Sequence, residues 1–119
     1  DIIDSLSPIV TKEELAELRK AYREVEVGDD VADYLMSLIS ATRSSNRLAY
    51  GVSARGSLAL YKAAQITAAM EGRGYVIPED IKENAVPVLA HRLAVITGSH
   101  LEPEEYIRQL LEDMPVPVE

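Results

Sequence analysis

The chain has 119 residues, with 12 basic and 20 acidic side chains for a formal charge of −8, 47% hydrophobic residues and no cysteine. That length and balance suit one globular domain around a single core. The acidity excludes an electrostatic footprint for nucleic acid or anionic lipid, and the missing thiols exclude disulfides, thiolate metal sites and a cysteine nucleophile.

No apolar run approaches the roughly 20 residues that span a bilayer, and no signal segment stands at Asp1. A cytoplasmic location without membrane insertion is the expectation. The periodicity is helical nearly throughout. Asp1 to Pro8 reads as a connecting segment. Thr11-Lys12-Glu13-Glu14 then has the form of a capping box, with Thr11 as N-cap and Glu14 reaching back. It opens a first helix in which Leu15, Leu18, Tyr22 and Val25 recur at helical spacing. Gly28-Asp29-Asp30 stops that helix and offers an N-cap for a second, where Val31, Tyr34, Leu35, Leu38 and Ile39 follow the i, i+3, i+4, i+7, i+8 pattern. Thr42 to Tyr50 is predicted to be a polar loop. A third helix runs from about Ala54 to Glu71 behind Ser53 as N-cap, ending at Gly72-Arg73-Gly74, where glycine can take the left-handed capping conformation. Only Lys62, Gln65 and Thr67 interrupt its apolar surface, so it should lie centrally, packed on several faces.

Tyr75-Val76-Ile77 is too short for more than an extended connector. Pro78 fits the first position of a fourth helix, with Glu79 and Asp80 at its positive end. Pro87 predicts a break near Ala85 and a further short helical segment through Leu89 to about Val95. Thr97-Gly98-Ser99 is a turn. Glu102-Pro103-Glu104-Glu105 opens a last helix with Tyr106, Ile107, Leu110 and Leu111 on one face, and Pro115 ends it. From Leu101 onward six acids stand against Arg108 alone, the pattern of a solvated acidic face. The fold class is all-α, a compact bundle of about five helices.

Few residues offer chemistry. No glycine belongs to a GxxxxGK[ST] loop or a GxGxxG turn, so no phosphate cradle is encoded. His91 and His100 lack carboxylate or histidine partners at metal-ligating helical spacing, apart from His100 with Glu104 across Pro103. The acid pairs Glu13/Glu14, Asp29/Asp30 and Glu79/Asp80 sit where helix starts favour acids, and adjacent residues on a helix do not face each other. Arg55 is different. It puts a cation in the first turn of the third helix, where the dipole disfavours it by roughly 0.3–1 kcal/mol. Capping by Ser53 leaves the N–H groups of Ala54 to Gly56 pointing outward, and helix starts bind phosphates in this way. Gly56 costs a helix up to about 1 kcal/mol against alanine and suggests a close approach of something else. The alternative is Arg55 lying over Tyr50 or pairing with an acid while Gly56 makes room for a neighbouring helix.

The run GVSARGSLALYKAAQITAAMEGRGYVIPEDIKENAVPVLAHRL resembles the C-terminal helical lid of MoxR-type AAA+ ATPases. That family's pattern is close to G-A-S-P-R-A, a long alanine- and leucine-rich helix, G-R-x-Y-V-T-P-E-D-I and V-L-x-H-R. REVEVGDDVADYLMSLISATR and LLEDMPVPVE agree with it as well, so the likeness covers nearly the whole chain. The resemblance implies that residues 1–119 are one lid domain of a longer chain, preceded by an α/β ATPase core that holds Mg and the phosphate loop. It implies a chaperone-like motor assembled as a homo-oligomeric ring, with contacts to that core and to neighbouring subunits. Arg55 would be the sensor 2 arginine, acting with Ser53 and Ala54 on ATP and linking hydrolysis to lid movement, with no hydrolysis by this segment alone. Three positions depart from the pattern: Ala54 replaces the usual proline, Gly56 the alanine, and Ile77 the threonine that would cap the fourth helix. Two rival readings remain. One is a stand-alone interaction module whose acidic last helix docks on a basic partner; the other is a small enzyme using His91 or His100 with carboxylates.

Overall fold

The structure, a computed structural model, describes residues 11–95 and 100–117. Five helices appear among them: α1 (Lys12–Ala21), α2 (Asp29–Ser44), α3 (Ala54–Met70), α4 (Pro78–Leu89) and α5 (Pro103–Asp113). The expected connector before Thr11 and the turn at Thr97-Gly98-Ser99 lie outside the described residues. The Thr11 capping box forms, with Thr11 Oγ1 accepting from the Glu14 N–H at 3.1 Å and Glu14 Oε1 accepting from the Thr11 N–H at 3.3 Å. The first helix is shorter than its apolar spacing suggests: Tyr22–Glu24 tightens to a 3-10 turn and Val25 is extended. In α2 the cap is Gly28, without a side-chain bond, while Asp29 and Asp30 fall inside the first turn, where the dipole favours them.

α3 crosses the middle of the molecule and packs most extensively on α4. Its end is a Schellman motif: Gly72 takes φ 76, its N–H reaches Ala69 O at 3.0 Å, and the Arg73 N–H reaches Ala68 O at 2.9 Å. Leu38, Ile39, Leu60, Ile81, Leu89 and Ile107 meet in the core, one or two from each of α2 to α5. The predicted polar stripe of α3 holds only for Lys62. Gln65 and Thr67 are buried and satisfied internally, Gln65 Nε2 donating to Val25 O at 2.9 Å and Asn84 Nδ2 donating to Thr67 Oγ1 at 2.9 Å.

Two expectations are corrected. Pro87 does not break α4 near Ala85; the helix continues through it to Leu89. A proline there removes only the bond that would reach the carbonyl of Glu83, on an exposed part of the helix where water can take its place. The helical segment expected up to Val95 stops as a 3-10 turn at Ala90–Arg92, and β2 (Ala94–Val95) then pairs antiparallel with β1 (Leu48–Tyr50), inside the stretch predicted as loop. The connector at Tyr75 also forms a bridge, to Glu26, with the Val76 N–H on Glu26 O at 2.9 Å.

Candidate functional site

The start of α3 is built from three directions. Ser53 is extended (φ −76, ψ 171) and caps the helix, its Oγ accepting from the Gly56 N–H at 3.3 Å. One of the three N–H groups expected to be free is therefore taken. Those of Ala54 and Arg55 have no partner among the described residues. Arg55 is exposed and, among the described residues, makes no hydrogen bond, ion pair or ring contact. It does not lie over Tyr50, which is 70% exposed. α1, α2, α4 and α5 each carry two acids in the first turn, whereas α3 carries none. No local carboxylate compensates the guanidinium.

Behind this turn, the chain before Ser53 is tied to the end of α2. Thr42, fully buried, accepts from the Val52 N–H at 3.0 Å while donating to Ile39 O at 2.7 Å. Gly51 passes so close to it that a Cβ would sit 2.4 Å from Thr42 O, which explains the glycine. Arg43 Nε donates to Val52 O at 2.8 Å and its Nη2 reaches Ser57 Oγ at 3.4 Å, bridging the two sides of the cap. On the other side, a Cβ on Gly56 would meet Val52 Cγ1 at 2.6 Å and Arg92 Cδ at 3.0 Å. Gly56 thus makes room for a side chain arriving from the 3-10 turn after α4, not for a neighbouring helix. Arg92 is fixed there by Nε donating to Val88 O at 2.9 Å.

The AAA lid domain family matches residues 40–113, a span that includes all of this arrangement but Ile39. The chain belongs to that family. Among curated relatives of the lid, the uncharacterized YeaC of Bacillus subtilis strain 168 is 34% identical over 98% of this chain and 38% of its own length. Chaperone MoxR1 of Mycobacterium tuberculosis is 33% identical over 73% of the chain and 26% of its own length, and MoxR of Paracoccus denitrificans 35% over 56% and 21%. A crystal structure of a candidate ATPase from Cytophaga hutchinsonii superposes with a TM-score of 0.82 at 27% identity, covering 92% of this chain and 37% of that one. The lid therefore spans well under half the length of these relatives, and it is of the MoxR type.

His91 and His100 are both exposed, and among the described residues no group of three or more His, Asp or Glu could hold a metal ion. His91 borders a cleft of about 450 Å³ with Glu102 and Glu104, between the end of α4 and the start of α5. Arg73 and Asp80, which the sequence marks only as part of a helix end and a helix start, form a bidentate ion pair: Arg73 Nη1 to Asp80 Oδ2 and Nη2 to Asp80 Oδ1, both 2.7 Å. The i, i+7 spacing across a helix end gives no local signal for such a pair. The Asp80 carboxylate holds the Arg73 guanidinium above its usual pKa. Asp80 also accepts from the Ile77 N–H at 2.9 Å, supplying from inside the helix part of the cap that the isoleucine cannot make.

Proposed function

We propose that this lid serves an ATPase core on the same longer chain, with Arg55 in the sensor 2 role, contacting the phosphates of ATP and coupling hydrolysis to movement of the lid. The observation that carries the reading is Arg55 itself: a guanidinium with no partner among the described residues, beside two free N–H groups, in a first turn with no acid. That donor set fits an anion of high charge, since charge-assisted bonds to phosphate oxygens use the dipole and the side chain together. Ser53 fixes the turn, and Ala54 and Arg55 present the backbone donors. The phosphate loop and the ligands of Mg are assigned to the core, because the lid's sequence contains no such loop. ATP, when bound, supplies the transferable γ-phosphate; the lid's part is to stabilise charge on it.

The wider reading follows from the family. A chaperone-like task is supported by the chaperone named among the relatives, and a homo-oligomeric ring in the cytoplasm is proposed along with it. Among the described residues no helix is long and apolar enough to cross a membrane. The test is Arg55→Ala in the full-length gene product. ATP turnover should fall about 10- to 1000-fold, as when a donor to transition-state charge is lost, while the unfolding transition stays in place because the side chain is exposed and unpartnered. Unchanged turnover refutes the assignment. The lid alone should bind ATP weakly or not at all, and micromolar binding would contradict the division of labour proposed here.

A further inference from the structure

Two arginines other than Arg55 converge on the same turn, and neither is aimed at solvent alone. Arg43 leaves the last turn of α2 and straddles the cap, with Val52 O on Nε and Ser57 Oγ on Nη2. Arg92 leaves the 3-10 turn after α4, lays its Cδ where a side chain on Gly56 would stand, and is tied back to Val88 O. Between them they touch the residues just before, within and just after the first turn of α3. Gly56 has no other visible use: a methyl group there would run into both Val52 and Arg92. Elsewhere in α3 the buried polar side chains are satisfied inside the fold, Gln65 by Val25 O and Thr67 by Ala63 O and by Asn84 of α4. Here the Arg43 guanidinium bonds on both sides of one turn and the Arg92 stem stands against Gly56 within it, while the turn's own Arg55 has no partner among the described residues.

We propose that Arg43 and Arg92 are the positioning residues of Arg55, holding the first turn of α3 in register with α2 and α4 so that Arg55 is presented in one orientation. This rests on the sensor 2 reading above and extends it to the residues that make it work. The physical reason is that Arg55 is long and otherwise unrestrained, so its aim is set by the backbone that carries it, and small misplacements of a group that acts on a transition state cost large factors in rate. The family's usual proline in this turn is Ala54 here, which removes one backbone restraint; the two side-chain struts supply another. Both struts donate Nε–H to a backbone carbonyl, Val52 O for Arg43 and Val88 O for Arg92, while the stem packs along the chain.

The experiment is a double-mutant cycle on ATP turnover of the full-length gene product, using Arg55→Ala, Arg92→Met, Arg43→Met and each pair with Arg55→Ala, with thermal unfolding of every variant. Arg92→Met and Arg43→Met should each lower kcat by about 3- to 30-fold with little change in KM. Added to Arg55→Ala, either should lower it no further, because a residue that acts only through Arg55 has nothing left to act on. Arg92→Lys, which keeps the charge and can still reach Val88 O, should recover part of the loss, and it replaces Arg92→Met in the cycle if that variant does not fold. Struts that leave kcat unchanged, or that multiply the Arg55→Ala defect, overturn the proposal. If Arg55→Ala itself leaves turnover intact, the sensor reading fails first and the positioning role falls with it.

Discussion

Removing the Arg73–Asp80 pair should be the most damaging polar change available in this lid, and the order of the damage can be worked out in advance. Asp80 is 2% exposed and holds three bonds, two from the Arg73 guanidinium at 2.7 Å and one from the Ile77 N–H at 2.9 Å. Arg73 keeps 22% of its side chain in solvent. The two partners are therefore unequal when orphaned. Asp80→Ala frees a guanidinium that can turn to water, and loses the contact that starts α4; taking the low end for a broken buried pair with the cap included gives about 3 kcal/mol. Arg73→Met leaves a carboxylate sealed in the interior with one backbone donor, and should cost about 4–5 kcal/mol, the upper end for such pairs. The double variant should be more stable than Arg73→Met alone, since it removes the buried charge that has lost its partner. Urea unfolding followed by far-ultraviolet circular dichroism at pH 7 measures all three, with the slope against denaturant expected to stay constant. A double variant less stable than Arg73→Met, or an Arg73→Met cost below about 1 kcal/mol, would refute the claim that burial of the carboxylate dominates.

Three further outcomes follow from single residues. Gly51→Ala should destabilise the lid by about 3 kcal/mol in the same assay, because the new Cβ meets the Thr42 carbonyl at 2.4 Å and both segments are backbone with no flexible end to yield. Pro87→Ala should raise stability by about 1–2 kcal/mol, the regained helix hydrogen bond outweighing the lost stiffness of the unfolded chain. Tyr34 buries a hydroxyl with no partner among the described residues, and burial, with the nearby Glu79 charge, pushes its pKa up from 10.0. The folded state therefore holds that proton more tightly than the unfolded chain does, so the stability it contributes is complete below about pH 10 and is lost as pH rises through the folded pKa. Tyr34→Phe should flatten that alkaline loss and be neutral or slightly stabilising at pH 7; a steeper alkaline transition in the variant would contradict it.

What could be read from the sequence is what short-range physics decides. The Thr11 capping box, the Ser53 cap, Pro78 at a helix start and Gly72 at a helix end all depend on atoms within a few residues, and each is where its local chemistry puts it. Five helices and the buried face of α2 follow from periodicity, because a helix must bury one stripe to be stable. The exposed cation in the first turn of α3 is visible for the same reason: it stands in a first turn with no acid, where the four other helix starts each have two.

The tertiary structure alone decided the rest. Pairing of Leu48–Tyr50 with Ala94–Val95 spans more than forty positions, so a polar loop and a helix-like tail became two strands. Gln65 and Thr67 look like a solvent stripe until Val25 and Asn84 arrive to satisfy them. Arg43 and Arg92 carry no mark in the sequence that would send them to one turn of α3. They meet there because α2 and α4 pack around that helix, and an arginine's reach converts packing of elements into contact between residues remote in the chain. Local energies chose the helices and their ends. Burial of their shared core brought together the residues that hold Arg55 in place.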